Sequence, residues 1–362
     1  MKVALVYDRV NKWGGAERVL LELKKIFPQA PLFTAVYDPQ KASWAKVFQV
    51  KSSFLNNLPL ARQKHELYPM LMPLAFESFN FNDFDLVISV TSADAKGIIT
   101  GPKTVHLCYC LTPTRWLWSG YRDYFPGLLG RSLAYPFVYY LKRWDQLAAQ
   151  RPDIYISISK EVKKRVKKYY RRDSVVVCPP VNDFFLERPL VKKKKDFYLL
   201  VSRLVPYKRV DLAIKAFNQL KLPLKIVGSG SQERYLKKIA GNNIEFLGNL
   251  TDDKLFSYYQ ESLALVMPQE EDFGLVSLEA QASGTPVIAF GRGGAKETIK
   301  AGRTGMFFNH QTVNSLVEAV KLFEQKSFLA EECRQNALKY QPAVFRKQFL
   351  ATIKKVWKQK QI

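Results

Sequence analysis

The stretch LALVMPQEEDFGLVSLEAQASGTPVIAF, residues 263–290, decides the fold. LALVMP is short, apolar and closed by a proline, as a buried strand is, and PVIAF is a second such run; between them QEEDFG is a loop and a helix starts at Gly274 or Leu275. Strand, loop, helix and strand in that order make a parallel crossover unit. One residue inside it is out of place. At about 100° per residue, Leu275, Leu278, Glu279 and Ala282 share one helix face, while Ser277 and Gln281 share the other. Glu279 therefore stands on the apolar side, where a carboxylate needs a partner.

The same rhythm extends in both directions. Upstream come FYLLVS, a helix from Arg209 to Leu220, LKIVG, a helix near 232–240, IEFLG and a helix over 251–262; downstream lies MFF near 306–308. Earlier still, VALVYD (3–8) precedes a loop with Gly14 and Gly15 and a helix to about residue 26. DLVISV (85–90), TVHLCYC (104–110), IYISIS and VVVCPPV continue the strand pattern. Short β-rich runs alternating with helices predict parallel sheets covered on both faces. The run VKKKKD after Pro189 has no apolar period and reads as an exposed linker. The expected architecture is α/β: two doubly wound, Rossmann-like domains facing a cleft. They cover residues 1–190 and 191–345, and a helix over about 346–362, with Phe349, Ile353 and Trp357 at helical spacing, packs back on the first.

Composition narrows the function. The 362 residues are 47% hydrophobic and 13% aromatic, which excludes general disorder. No run of eighteen uncharged apolar residues occurs, and the apolar start MKVALVYDRV is interrupted by Asp8 and Arg9, so neither a membrane span nor a signal peptide is expected, and the expected compartment is the cytoplasm, with peripheral attachment at the inner face of the cell membrane. Four scattered cysteines and three histidines argue against a metal site or a disulfide framework. The net charge of +24 asks for an anionic partner. Much of it lies in SKEVKKRVKKYYRR (159–172), where Ser159 caps a helix with Val162, Val166, Tyr169 and Tyr170 on its apolar stripe. This helix reads as a solvated domain face or as a contact with an anionic membrane.

In open parallel sheets ligands bind beyond the carboxyl ends of the strands. Four loops qualify. Gly14 and Gly15 allow positive φ and close approach to an anion at a helix start. Arg203 and Lys208, in SRLVPYKRVD, can flank a diphosphate without a metal. Gly228 and Gly230 end the strand LKIV and can receive a nucleotide on backbone amides. The fourth is the opening stretch: the amides of Leu275 and Val276 after Gly274 suit a phosphate, Glu279 can accept from sugar hydroxyls, and Glu271 can reach the same ligand.

Taken together, these residues resemble the retaining glycosyltransferases of family 4, which have the GT-B fold. The resemblance spans nearly the whole chain, and its most specific part is Glu271, seven residues, then Glu279, matched through Phe273, Gly274, Leu275, Leu278, Ala280, Gly284 and Pro286. SRLVPYKRVD, GGAER, VGSG, CPPV and GGAKE near Glu297 are placed as in that family. The resemblance implies that Glu279 holds the nucleotide ribose and Glu271 the donor sugar. It also implies that Arg203, Lys208 and the amides after Gly274 hold the diphosphate. HLCYCLTPTRWLW (106–118), SVTSADAKGI (89–98) and Trp144–Asp145 look like a subgroup acting on cell-surface polysaccharides or glycolipids, often mannosyltransferases, and on that likeness His106 is kept as a cleft residue. Three positions depart from the pattern: Leu111 stands where the subgroup has histidine, Asp272 where a glycine is usual, and Asn182 where an aspartate follows CPPV.

The expected activity is transfer of a hexose from a nucleotide diphosphate sugar, GDP-mannose favoured, to a glycan or lipid-linked acceptor, with retention and without a metal or other cofactor. A glycosidase with Glu271 and Glu279 as its carboxylate pair does not account for Arg203 and Lys208. A sugar-nucleotide epimerase of the same fold calls for a different acidic constellation. A nucleic-acid-binding protein fits the charge, but no binding motif accompanies it, so no nucleic-acid partner is expected.

Overall fold

A computed structural model describes residues 1–125, 127–190 and 195–360. The chain forms two compact units, Met1–Cys178 with Arg346–Ile362, and Pro179–Phe345. The first unit holds a parallel seven-stranded sheet built from β1 (Val3–Tyr7), β2 (Leu32–Thr34), β3 (Val50–Ser52), β4 (Leu86–Thr91), β5 (Val105–Cys110), β6 (Ile154–Ser157) and β7 (Ser174–Val176). Its order is β3-β2-β1-β4-β5-β6-β7. The second unit holds a parallel six-stranded sheet of β8 (Tyr198–Val201), β9 (Leu224–Val227), β10 (Ile244–Gly248), β11 (Leu265–Met267), β12 (Val287–Phe290) and β13 (Gly305–Phe308), in the order β10-β9-β8-β11-β12-β13. Both orders start in the middle and wind outward twice, so each sheet reverses direction at one pair of central strands: β1 and β4 in the first, β8 and β11 in the second.

The apolar runs that predicted strands are the strands. Every residue of β1, β4 and β5 is buried, as it must be when helices cover both faces of a sheet. The predicted helices also form, including Gly15–Ile26, Val210–Leu220 and Leu275–Ala282. β2 and β3, three residues each, lay in a region where no strand was expected.

Two expectations about the ends of the units need correction. The division falls at Cys178, ahead of residue 190, because the helix Asp183–Glu187 belongs to the second unit: Phe185 sits edge-on to Tyr259 at 6.0 Å. Of the lysine run, residues 191–194 lie outside the described residues. In the helix Pro342–Lys360, Phe349 and Ile353 are buried, with Phe349 edge-on to Tyr109 at 5.9 Å. In place of Trp357, which is half-exposed, Val356 is buried beyond Ile353.

Candidate functional site

In the second unit the loops after β8 and β11 leave the sheet at its reversal point, where an open parallel sheet offers a crevice at its carboxyl end. They carry Arg203 and Lys208 on one side and Glu271 to Glu279 on the other. The two loops meet: Lys208 Nζ donates to Glu271 Oε1 at 2.5 Å, and Gln269 Nε2 donates to the same oxygen at 2.8 Å. The Lys208 and Glu271 side chains are 14% and 15% exposed, so this ion pair is largely out of water yet still reachable. Tyr207 links the two cations. Its hydroxyl accepts from Arg203 Nη2, and Lys208 Nζ lies 5.4 Å from its ring centroid. Arg203 itself is exposed.

The loop Glu271–Phe273 is clamped from behind by a pair of glycines. Gly294 N donates to Glu271 O at 2.7 Å, and a Cβ on Gly294 would stand 2.3 Å from Phe273 Cα. At Gly293, with φ 63°, an added Cβ would stand 2.3 Å from Glu271 O. Phe273 is buried and edge-on to Tyr340 at 5.6 Å, so its ring anchors the loop rather than meeting a ligand. Gly274 takes the left-handed conformation, φ 95°, and turns the chain into the helix Leu275–Ala282. The first-turn amides of Leu275 and Val276 have no carbonyl one turn earlier, so at the sheet's reversal point this helix start offers donors of the kind an anion can use.

Glu279 is 6% exposed, and Tyr259, on the helix Asp252–Glu261, donates its hydroxyl to Glu279 Oε2 at 3.3 Å. The opposite face of its helix, polar in sequence, is not exposed. Ser277 and Gln281 are fully buried, because the opposite side packs on helix Ala330–Leu338 through a polar network. Ser277 Oγ donates to Thr298 Oγ1 at 2.8 Å, Gln281 Nε2 to Thr298 O at 3.0 Å, and Asn336 Nδ2 to Gln281 Oε1 at 2.8 Å. A helix with polar residues on a buried face mimics amphipathicity in sequence, and periodicity alone misassigns it.

Gly228 and Gly230 have a structural reason to be glycine. A Cβ on Gly228 would stand 1.9 Å from Ser202 O, and one on Gly230 would stand 2.3 Å from Leu204 O. Gly228 also holds φ 127°. They let the loop after β9 lie against the Arg203 loop, with Leu204 N donating to Ser229 O at 2.9 Å.

In the first unit, the corresponding loops follow β1 and β4. Gly14 and Gly15 do lie at the carboxyl end of β1, but neither has positive φ: Gly14 is extended at φ 177°, and Gly15 opens the helix. Asp8 joins the two strand ends, accepting from Thr91 Oγ1 at 2.7 Å, Ser92 N at 2.7 Å and Ala95 N at 2.9 Å. His106 is displaced from its expected place. It is the second residue of β5, far from the strand's carboxyl end, fully buried, with Nε2 2.9 Å from Ser89 Oγ and its backbone N donating to Asp153. It is a core histidine.

The other subgroup-like segments converge on a buried ion pair. Lys96 Nζ donates to Asp145 Oδ1 at 2.5 Å; Thr114 Oγ1 and Trp118 Nε1 donate to the same carboxylate, each at 2.7 Å. Lys96 and Asp145 are 1% and 0% exposed, and the ring of Trp144 covers the ammonium at 5.9 Å. Segments 89–98, 106–118 and 144–145 are thus tied together by one charge pair that fixes the loop after β5. Asn182 caps the helix Asp183–Glu187, accepting from Phe184 N at 3.0 Å, as an aspartate would. Leu111 is half-buried just past β5 and places no polar group there. Nothing in the structure explains Asp272. Tyr207, Tyr259 and Gln269 escaped the sequence reading. An aromatic between two cations was a usable signal for Tyr207; for Tyr259 and Gln269 there was none.

Residues 181–340 match the protein family described as glycosyl transferases group 1. An uncharacterized glycosyltransferase of Methanocaldococcus jannaschii is 29% identical over 178 residues, 48% of this chain and 50% of that protein. The GDP-mannose-dependent monoacylated alpha-(1-6)-phosphatidylinositol monomannoside mannosyltransferase of Corynebacterium glutamicum is 38% identical over 133 residues, 32% of this chain and 35% of that protein. The chain spans about half the length, or less, of these curated relatives. Among solved structures, Anabaena HepE in complex with UDP and glucose superposes with a TM-score of 0.73 at 18% identity, covering 98% of this chain and 99% of that one. At such identity the likeness speaks to fold alone, and the fold is GT-B.

Proposed function

We propose that this chain, which through residues 181–340 belongs to the glycosyl transferases group 1 family, transfers a hexose from a nucleotide diphosphate sugar to a glycan or lipid-linked acceptor. The observation that carries the reading is the Lys208–Glu271 pair beside the helix start at Gly274. A fixed cation and oriented amides converge there on a point where a leaving diphosphate gathers negative charge, and such groups need no reorganisation as the charge develops. Arg203 adds a second, exposed cation. Glu279 supplies a carboxylate for the ribose hydroxyls and Glu271 one for the transferred sugar.

In this reading Lys208 serves both ends of the donor. Bound to Glu271 it fixes the carboxylate, and its remaining ammonium protons turn to the diphosphate. The acceptor hydroxyl attacks from the leaving-group face and the departing phosphate takes its proton, so the configuration is retained with no covalent enzyme intermediate. Arg203, Lys208 and the helix amides supply the countercharge, with no metal in the proposal. Mannose from GDP-mannose is the favoured donor, in keeping with the name of the Corynebacterium relative. A cytoplasmic setting is part of the proposal, in keeping with few, scattered cysteines.

The test is incubation with a panel of GDP- and UDP-sugars while following release of free nucleotide. Release from a GDP-hexose is expected; no binding of any donor, together with tight binding of oligonucleotides, would sink the reading.

A further inference from the structure

The helix Leu128–Ala148, in the first unit, turns an apolar surface outward. Its inner side, with Val138 and Leu141, packs on Leu117 and the indoles of Trp116 and Trp118. Leu133, Tyr135, Phe137, Tyr139, Tyr140 and Leu147 are between 53% and 68% exposed, and at 100° per residue they cover roughly half the circumference. Scattered surface hydrophobics need no explanation, but six on one arc of one helix mark a contact surface.

Charge identifies what the surface meets. The helix carries Arg131, Lys142 and Arg143, and its one acid, Asp145, is buried on Lys96, Thr114 and Trp118. Its accessible charge is therefore positive. The positive field continues through a chain of contacts: Lys142 Nζ lies 5.5 Å from the Trp118 ring, and Trp118 stacks on Tyr169 at 5.2 Å. Tyr169 belongs to the helix Lys160–Tyr170, whose Val162 and Val166 are buried and whose Lys163, Lys164 and Lys168 are exposed. Two copies of this chain meeting here would bring like charges together. Tyrosines with apolar rings and polar tips, beside lysines and an arginine, fit the boundary between lipid chains and anionic headgroups.

We propose that the exposed arc of Leu128–Ala148 lies in the headgroup region of an anionic bilayer, with the lysines of Lys160–Tyr170 as its electrostatic flank. The helix lies on the membrane rather than across it: among the described residues no helix is long and apolar enough to span one. Such a contact would bring a lipid-linked acceptor and the enzyme to the same surface. The inference itself needs nothing from the donor site, so either can fail alone.

The full chain would be sedimented with vesicles of phosphatidylcholine alone and of equal parts phosphatidylcholine and phosphatidylglycerol, over a range of salt. Binding to the mixed vesicles that weakens with salt is expected. A Leu133→Ser, Phe137→Ser, Tyr140→Ser variant should partition roughly tenfold or more weakly, and Lys163→Glu with Lys164→Glu should flatten the salt dependence. Donor binding should be unchanged in both. If the triple variant does not fold, Phe137→Trp serves instead: its added emission should shift to the blue on anionic vesicles. Wild-type-like sedimentation of the triple variant, no vesicle binding by the parent, or an unshifted Phe137→Trp spectrum overturns the proposal. A dimer lost in the triple variant without vesicle binding does so too, by assigning the arc to a second copy.

Discussion

Glu279 and Lys208 hold their places by different physics, and their variants should separate accordingly. Glu279 is buried with a tyrosine hydroxyl on one oxygen, so Glu279→Gln keeps both the shape and that hydrogen bond. The fold should survive while donor affinity falls by about 1.5–3 kcal/mol, the worth of a charged hydrogen bond, or roughly ten- to a hundredfold; calorimetric titration checks it. Lys208→Met strips Glu271 of its cation and the diphosphate of its countercharge. Loss of kcat by roughly 10²–10³-fold is expected, as for removal of one stabiliser of developing charge.

Away from that site, two buried groups in the first unit should shape stability against pH in opposite directions. Burial raises the Asp94 carboxyl from 3.8 to about 7. Between those values the folded chain keeps a proton that the unfolded chain has lost, so stability is full below about pH 4 and declines toward pH 7. Burial, with Arg9 nearby, lowers the His65 imidazole from 6.5 to about 4. The folded chain then resists a proton the unfolded chain accepts, so this contribution is full above 6.5 and declines as pH falls toward 4. Asp94→Asn should remove the first trend and leave the second: its stability relative to the parent, from urea denaturation, should rise between pH 4 and 7. A pH-independent difference would contradict it.

At the level of elements, the site depends on backbones that approach closely. Gly294→Ala would drive a methyl into Phe273 Cα and shift the Glu271 loop without touching a charged group. Turnover should drop by up to about a hundredfold, the scale of a 1 Å misplacement, and denaturant unfolding should show a stability loss of about 1–3 kcal/mol, because the methyl meets backbone that has to move. Asn182→Ala should cost about 1 kcal/mol of stability and Asn182→Asp almost nothing, since either amide or carboxylate oxygen caps the helix; denaturant melts of both variants test this. The same scale shows what could be read beforehand. Buried strands of parallel sheets are continuous apolar runs, so VALVY, LVISVT and LKIV announced themselves, as did the Ser159 cap. β2 and β3 are too short for periodicity to register. That Ser277 and Gln281 form a second buried face was not legible, because their partners, Thr298 and Asn336, are distant in sequence. His106 was kept as a cleft residue on family likeness alone, although the run 104–110 puts it near the start of its strand and so away from the carboxyl end.

For the whole molecule, two doubly wound sheets and a returning C-terminal helix were legible from the repeated strand-helix rhythm, while the division at Cys178 was not, since Phe185 joins the second unit through Phe256 and Tyr259, which are distant in sequence. The candidate site was legible as loops and residue types: Arg203, Lys208, Glu271 and Glu279 all lie at the carboxyl end of the second sheet. Their pairing was not, because whether Lys208 faces a ligand or Glu271 is decided by two loops separated by 63 residues. The net charge of +24 belongs to this scale as well, and it is distributed over surfaces such as Lys160–Tyr170 rather than confined to the site.

The central claim, that the second unit grips a nucleotide diphosphate with Lys208 at the phosphates and Glu279 at the ribose, is tested most directly by titrating GDP and inorganic pyrophosphate into the full chain and its variants. Lys208→Met should weaken both ligands, whereas Glu279→Gln should weaken GDP and leave pyrophosphate unchanged. GDP binding that neither substitution alters would contradict the account.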